Sequence, residues 1–257
     1  MERKLTMSNK KSKSLQLLLG LSLSTTLFNS IPVNAQENIN SEISSKSYLL
    51  AQQGGEGGEG GEGGEEMSPG EKANADFEDK MSGTALLNAL RQGGYIIYFR
   101  HAQTEKDYAD QINAVMGDCS SQRMLSEVGW KQSKQIGEAF RKYSIPVGEV
   151  ISSQYCRAWQ TADLAFDKYV KNSALNFPKA EDYTDEQVAQ MKAQLMPLLI
   201  QVPAQGTNTI IVGHDDLFEA ATGIYPAPQG MAYVLKPDGK GGFELIANML
   251  PDDWMKL

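Results

Sequence analysis

The chain predicts an α/β protein, a three-layer α/β/α sandwich around a mostly parallel central sheet. Three observations point there. Short apolar runs rich in Ile and Val recur at 95–99, 149–152 and 209–213, as expected of strands buried on both faces. Between them lie longer segments whose apolar residues repeat at helical spacing. A last pair of runs, Met231 to Leu235 and Phe243 to Ala247, flanks Asp238-Gly-Lys-Gly-Gly242 and reads as a hairpin.

The elements follow in order. Thr84 to Arg91 predicts a short helix stopped at Gly93-Gly94, and the run at 95–99 is the first strand. Ser126 stands as N-cap to a helix over Glu127 to Lys142, with Trp130, Ile136, Phe140 and Tyr143 on its apolar face and Pro146 beyond its end. Strand 149–152 leads into a helix from Ala158 towards Val170. Thr184-Asp-Glu-Gln187 is a capping box for a helix reaching Leu199, and strand 209–213 precedes a short helix from Leu217 to Ala221.

The amino-terminal third does not join this alternation. Arg3, Lys4, Lys10, Lys11 and Lys13 precede an apolar stretch from Leu15 to Phe28, and Val33-Asn34-Ala35 offers a small-residue cleavage site, so residues 1–35 read as a secretory signal. The stretch falls short of the roughly 20 apolar residues that a bilayer helix needs, and no stable membrane insertion is expected after cleavage. From 36 to 83 Gln, Asn, Ser, Gly and Glu dominate, with Gly54-Gly-Glu repeated, and a disordered linker is expected because little apolar surface offsets the entropy of ordering. This leaves 84–257 as one catalytic domain of an exported protein, periplasmic or extracellular.

Formal net charge is −8, and about −12 once residues 1–35, with five bases against Glu2, are removed. So acidic a body repels a phosphate backbone, which argues against nucleic acid as a partner. A phosphorylated small molecule must instead be caught by a local cationic pocket. Oligomeric state is not encoded in any readable feature. Cys119 and Cys156, the only cysteines, are expected to form one disulfide in an exported chain. There is no CxxC or HxxxH spacing, and neither a metal nor another cofactor is expected.

The only two histidines, His101 and His214, each follow a strand-like run directly, and ligands of open α/β sheets bind beyond the carboxyl ends of the strands. Arg100 precedes His101, and Arg157 follows strand 149–152 by way of Gln154-Tyr-Cys. Two guanidiniums and two imidazoles suit a phosphoryl group. Guanidinium grips oxyanions in a bidentate way, neutral imidazole is a nucleophile towards phosphorus, and a protonated second imidazole spreads stabilisation over the equatorial oxygens.

On these residues the chain resembles the histidine phosphatase superfamily, with its phosphoglycerate-mutase-like fold. Arg100-His101-Ala102 resembles the Arg-His-Gly motif, Leu125-Ser-Glu-Val-Gly129 the Leu-Thr-x-x-Gly helix start, Ser152-Ser-Gln-Tyr-Cys-Arg157-Ala-Trp-Gln-Thr161-Ala the Ser-x-x-x-Arg-Ala-x-x-Thr-Ala element, and Val212-Gly-His214 the second histidine. The resemblance implies that His101 is the phosphorylated nucleophile and that Arg100, Arg157 and His214 bind phosphate. It also implies a proton donor. Acid-phosphatase-like relatives use an Asp directly after the second His, which is Asp215 here, with Asp216, Glu105 and Glu219 as alternatives. Mutase-like relatives use a Leu-x-Glu, and Leu175-Asn-Phe177 has Phe in that place.

Two further departures stand out. Ala102 replaces a glycine, and Asp107 stands where many mutase-like members carry an asparagine. Gln122 and Arg123 are expected on the substrate rim. The expected function is an exported, metal-independent phosphomonoesterase acting through a phosphohistidine. The alternatives are a phosphohistidine-protein phosphatase and a non-catalytic phospho-ligand-binding protein.

Overall fold

The computed structural model describes residues 67–105, 110, 112–180 and 182–257. The signal at 1–35 and the Gly/Glu repeat therefore lie outside the described residues. Helices α1 (Pro69–Ala75) and α2 (Gly83–Gln92) lead into β1 (Ile96–Arg100). Then come α3 (Glu127–Lys142), β2 (Val147–Ser152), α4 (Cys156–Phe166), β3 (Val170–Lys171), α5 (Asp185–Leu199), β4 (Asn208–Gly213) and α6 (Asp215–Thr222). The hairpin β5 (Ala232–Pro237) and β6 (Phe243–Met249) and a short 3-10 helix, Pro251–Lys256, complete the order.

The six strands form one sheet in the order β3-β2-β4-β1-β5-β6. β3, β2, β4 and β1 run parallel, while β5 is antiparallel to both β1 and β6. The period-two alternation of strand side chains divides the core into two layers. Ile97 and Phe99 join α2, α3, α4 and Trp254 on one face. Ile96 and Tyr98 join Leu195, Leu199, Leu217 and Phe218 of α5 and α6 on the other. This is the expected three-layer sandwich. Among the described residues no helix is long and apolar enough to cross a membrane.

Three details differ from the sequence reading. The helix after Arg157 stops at Phe166, where Asp167 takes a left-handed φ of 56°, and the two-residue strand β3 follows. α6 starts at Asp215, with His214 as its N-cap. Most consequential, the expected linker does not reach Gly83. From Ser68 the chain folds into α1, opened by a capping box between Ser68 and Glu71, and Ala73 and Phe77 pack on the second core layer. The polar composition hid a helix held by local caps and a few tertiary contacts.

Candidate active site

β1 and β4 are parallel neighbours, with Arg100 opposite Gly213, so His101 and His214 leave the sheet side by side. Their rings lie 5.4 Å apart, centroid to centroid, at 63°. Gly213 is required by what lies next to it: the hydroxyl of Tyr98 occupies the space a Cβ would take. That hydroxyl accepts from the backbone N–H of His214 (3.0 Å) and donates to its carbonyl (2.7 Å), which pins the turn carrying the second imidazole.

The loop after β1 is bound from several sides. Gln103 carbonyl accepts from Ser126 N–H (2.9 Å), and Gly129 leaves room for that carbonyl at the start of α3. Thr161 Oγ1 accepts from Ala102 N–H (3.0 Å) and donates to Arg157 carbonyl (2.7 Å), tying the loop to α4. Ala102 is not among the non-glycine residues with positive φ, so the missing glycine costs no backbone strain.

Hydrogen bonding settles both tautomers. His101 Nδ1 lies 2.9 Å from Ala102 carbonyl, which only accepts, so Nδ1 carries the proton. Nε2 then holds the lone pair, and Arg157 Nε–H donates to it across 3.1 Å. For His214 the chain of reasoning is longer. Gln154 N–H donates to Asn176 Oδ1 (3.0 Å), Ser153 hydroxyl donates to the same oxygen (2.9 Å), and Tyr155 N–H donates to Ser153 Oγ (3.2 Å). The remaining contact of Ser153 Oγ, 2.9 Å from His214 Nε2, is therefore an Nε2–H donor. His214 Nδ1 is left as a buried acceptor with no hydrogen-bond partner among the described residues.

Both imidazoles are neutral. Burial pushes each well below the usual 6.5, and Arg157, Arg123 and Arg100 add to the effect. Asp110 holds one of these cations and the backbone of another: its Oδ2 accepts from Arg157 Nη1 at 2.8 Å and from the backbone N–H of Arg123 at 2.7 Å. Its side chain is only 1% exposed. The disulfide Cys119–Cys156 joins the loop that carries Arg123 to the start of α4.

Arg100 faces the opposite wall. Its Nη2 pairs with Asp215 Oδ2 at 2.6 Å, its Nη1 donates to Pro226 carbonyl at 3.3 Å, and its guanidinium lies 5.1 Å from the Tyr225 ring centroid. Burial by itself would raise the Asp215 carboxyl, but Arg100 and the hydroxyl of Tyr225 outweigh it and hold the group below the ordinary carboxylate value. Asp216 behaves oppositely. Burial, then the charge of Asp215 beside it, pushes it up to about 8. Of the two neighbours, Asp215 is held towards its anion and Asp216 is pushed towards its acid form.

With two imidazoles beyond the ends of β1 and β4 and the guanidiniums of Arg100, Arg157 and Arg123 acting on them, the arrangement suits transfer of a dianionic phosphoryl group. A family model described as the histidine phosphatase superfamily (branch 1) matches residues 96–176, from β1 past α4. Over that segment the chain is similar to this superfamily. No curated protein matches the chain. Solved structures with a similar course include the protein histidine phosphatase SixA complexed with tungstate (17% identity, TM-score 0.42, covering 62% of this chain and 98% of that one). A phosphoserine phosphatase from Entamoeba histolytica in complex with phosphoserine gives 14% identity and a TM-score of 0.45, covering 62% of this chain and 98% of its own. A mycobacterial glucosyl-3-phosphoglycerate phosphatase gives 16% and 0.42, covering 60% of this chain and 97% of its own. No substrate follows from these likenesses.

The structure brings His101, His214, Arg100 and Arg157 of the histidine phosphatase set together. Gln122 is not on a rim: it is fully buried, its Oε1 accepting from Cys156 N–H (2.8 Å) and its Nε2 donating to Val115 carbonyl (2.8 Å). It cross-links the loop to α4 because its amide offers both a donor and an acceptor. Arg123 is likewise buried, and its charge acts on both histidines. Asp215, expected as proton donor, sits in the Arg100 ion pair. Asp107 lies outside the described residues. Among the described residues no group of three or more His, Cys, Asp or Glu is arranged to hold a metal ion. Asp110, Ser153 and Asn176 were not singled out from sequence. They stand in loops or at a strand end, and only the Ser-x-x-x-Arg spacing pointed at their neighbourhood.

Proposed function

We propose that this protein is an exported, metal-independent phosphomonoesterase working through a phosphohistidine at His101. The observation that carries the reading is the His101 tautomer, with Nδ1–H tied to Ala102 carbonyl and the Nε2 lone pair directed at the Arg157 guanidinium. An arriving phosphate takes over the Arg157 Nε–H from Nε2, which frees that lone pair to attack phosphorus in line. The N–P bond forms as the ester P–O bond breaks. Arg157, Arg123 and Arg100 supply positive charge, and His214, which takes a proton from water at Nδ1 in the field of the bound dianion, adds a donor. Asp216 gives its proton to the leaving alkoxide. In the second half water attacks phosphorus, the P–N bond breaks, and Asp216 recovers a proton from that water.

Asp215 then serves as the clamp on Arg100, because a carboxylate held ionised by a guanidinium has no proton to give. Export is supported by the basic and apolar leader, and by a disulfide of the kind that persists in oxidising compartments.

One observation favours the phosphohistidine-protein phosphatase reading. Phe177, in the place of a Leu-x-Glu acid, packs edge-on to His214 at 4.7 Å and beneath the Arg157 guanidinium at 5.4 Å. An apolar ring there suits a leaving group that departs without acid help, such as a phosphoramidate. Comparing hydrolysis of an alkyl phosphate, an aryl phosphate and a phosphohistidine peptide tests the two readings. Turnover of both esters supports the phosphomonoesterase, and turnover confined to the phosphohistidine peptide replaces it.

A further inference from the structure

We infer that α1, which lies outside the matched family segment, is a positioning element of the active site, acting through Asn74 on the wall that holds Arg100. Asn74 is 7% exposed and makes two hydrogen bonds at once: its Nδ2 donates to Ala227 carbonyl at 2.9 Å, and its Oδ1 accepts from Tyr233 hydroxyl at 2.6 Å. One turn earlier, Gly70 carbonyl accepts from Tyr225 N–H at 3.0 Å, and the carboxylate of Glu219 fills the space a Gly70 Cβ would need. Helix α1 thus grips the segment Tyr225–Ala227 at both ends.

The middle of the same segment receives the guanidinium. Pro226 carbonyl accepts from Arg100 Nη1 (3.3 Å), and Tyr225 Oη accepts from Nη2 (3.4 Å) while its hydroxyl proton is directed to Asp215. A shift of this wall moves Tyr225 and Pro226 away from Arg100 and loosens the hold on its guanidinium. Planar bidentate binding of an oxyanion depends on where the fork points, so the orientation set by α1 reaches the phosphate without α1 touching it.

The inference rests on Arg100 as a phosphate-binding group, and the test separates the two claims. Inorganic phosphate is titrated calorimetrically into the full chain, as wild type, Asn74→Asp, Asn74→Ala and Arg100→Gln, and as Asn74→Asp combined with Arg100→Gln. Asn74→Asp keeps the size and the acceptor for Tyr233 but loses the donor to Ala227, so it answers the question if Asn74→Ala does not fold. The expected result is about tenfold weaker phosphate binding for Asn74→Asp alone and at most about twofold in the Arg100→Gln background. Unchanged affinity, or an equal loss in both backgrounds, overturns the positioning role, which a purely structural contact would also fail to pass through Arg100. Wild type that binds no phosphate overturns the functional reading itself, and this inference with it.

Discussion

Arg157 donates its Nε–H to Nε2 of His101 across 3.1 Å, so a guanidinium caps the nitrogen that attacks phosphorus. Its Nη1 is simultaneously held by Asp110 at 2.8 Å. Lysine offers one ammonium on a flexible stem and cannot span both contacts. Arg157→Lys is therefore expected to lower turnover by about 100-fold or more, the scale of losing one preorganised donor to a developing oxyanion, as steady-state assays on an aryl phosphate would show.

The two aspartates after His214 have separable effects. Asp216→Asn removes the proton donor, and first-turnover release of the alcohol from an alkyl phosphate should fall by about 100-fold or more while first-turnover release from an aryl phosphate is nearly spared. Wild-type turnover of the alkyl ester should decline as pH rises through about 8, where Asp216 loses its proton. Asp215→Asn should act on phosphate affinity instead, through the loosened Arg100. Equal first-turnover losses for both esters in Asp216→Asn would rule it out as the acid.

The disulfide closes a sequence separation of 37 residues between the Arg123 loop and α4. The chain-entropy relation gives about 4 kcal/mol for a loop of that size. A Cys119→Ser, Cys156→Ser double variant should lose a similar amount in urea denaturation. Phosphate binding should weaken as well, since Arg123 and Arg157 lose their covalent tie.

Both histidines impose a pH dependence on stability. Their native pKa values lie well below the 6.5 that the unfolded chain shows, so below about pH 6.5 the unfolded state takes up protons that the native state refuses. Stability is therefore expected to fall as pH drops through 6.5, with no penalty from these groups above it. The variant His214→Gln should show a shallower acid limb in thermal denaturation at a series of pH values.

Much of this was legible in the chain because it rests on period and position. Ile96 to Phe99 and Thr209 to Val212 are apolar runs of the kind doubly covered strands carry, and the residues at their ends follow from the topology. Asp110, by contrast, stands in an aperiodic loop where nothing in the residue order says which way a carboxylate turns. Gln122 looked like a rim residue because it is polar, yet a buried amide with both its groups bonded is just as stable. Helix α1 was hidden by the glycine and glutamate before it, since Asn74 reads as linker until Tyr233 and Ala227 are seen beside it. Asp215 and Asp216 differ only in what they face, which adjacency in sequence does not reveal.

The most direct test mixes the full chain with an aryl phosphate labelled at phosphorus and quenches the reaction in alkali within its first turnover. The account predicts one alkali-stable, acid-labile phosphate per active site, lost in His101→Ala together with turnover. Full turnover by His101→Ala, or rapid product formation with no phosphoprotein at any quench time, would contradict it.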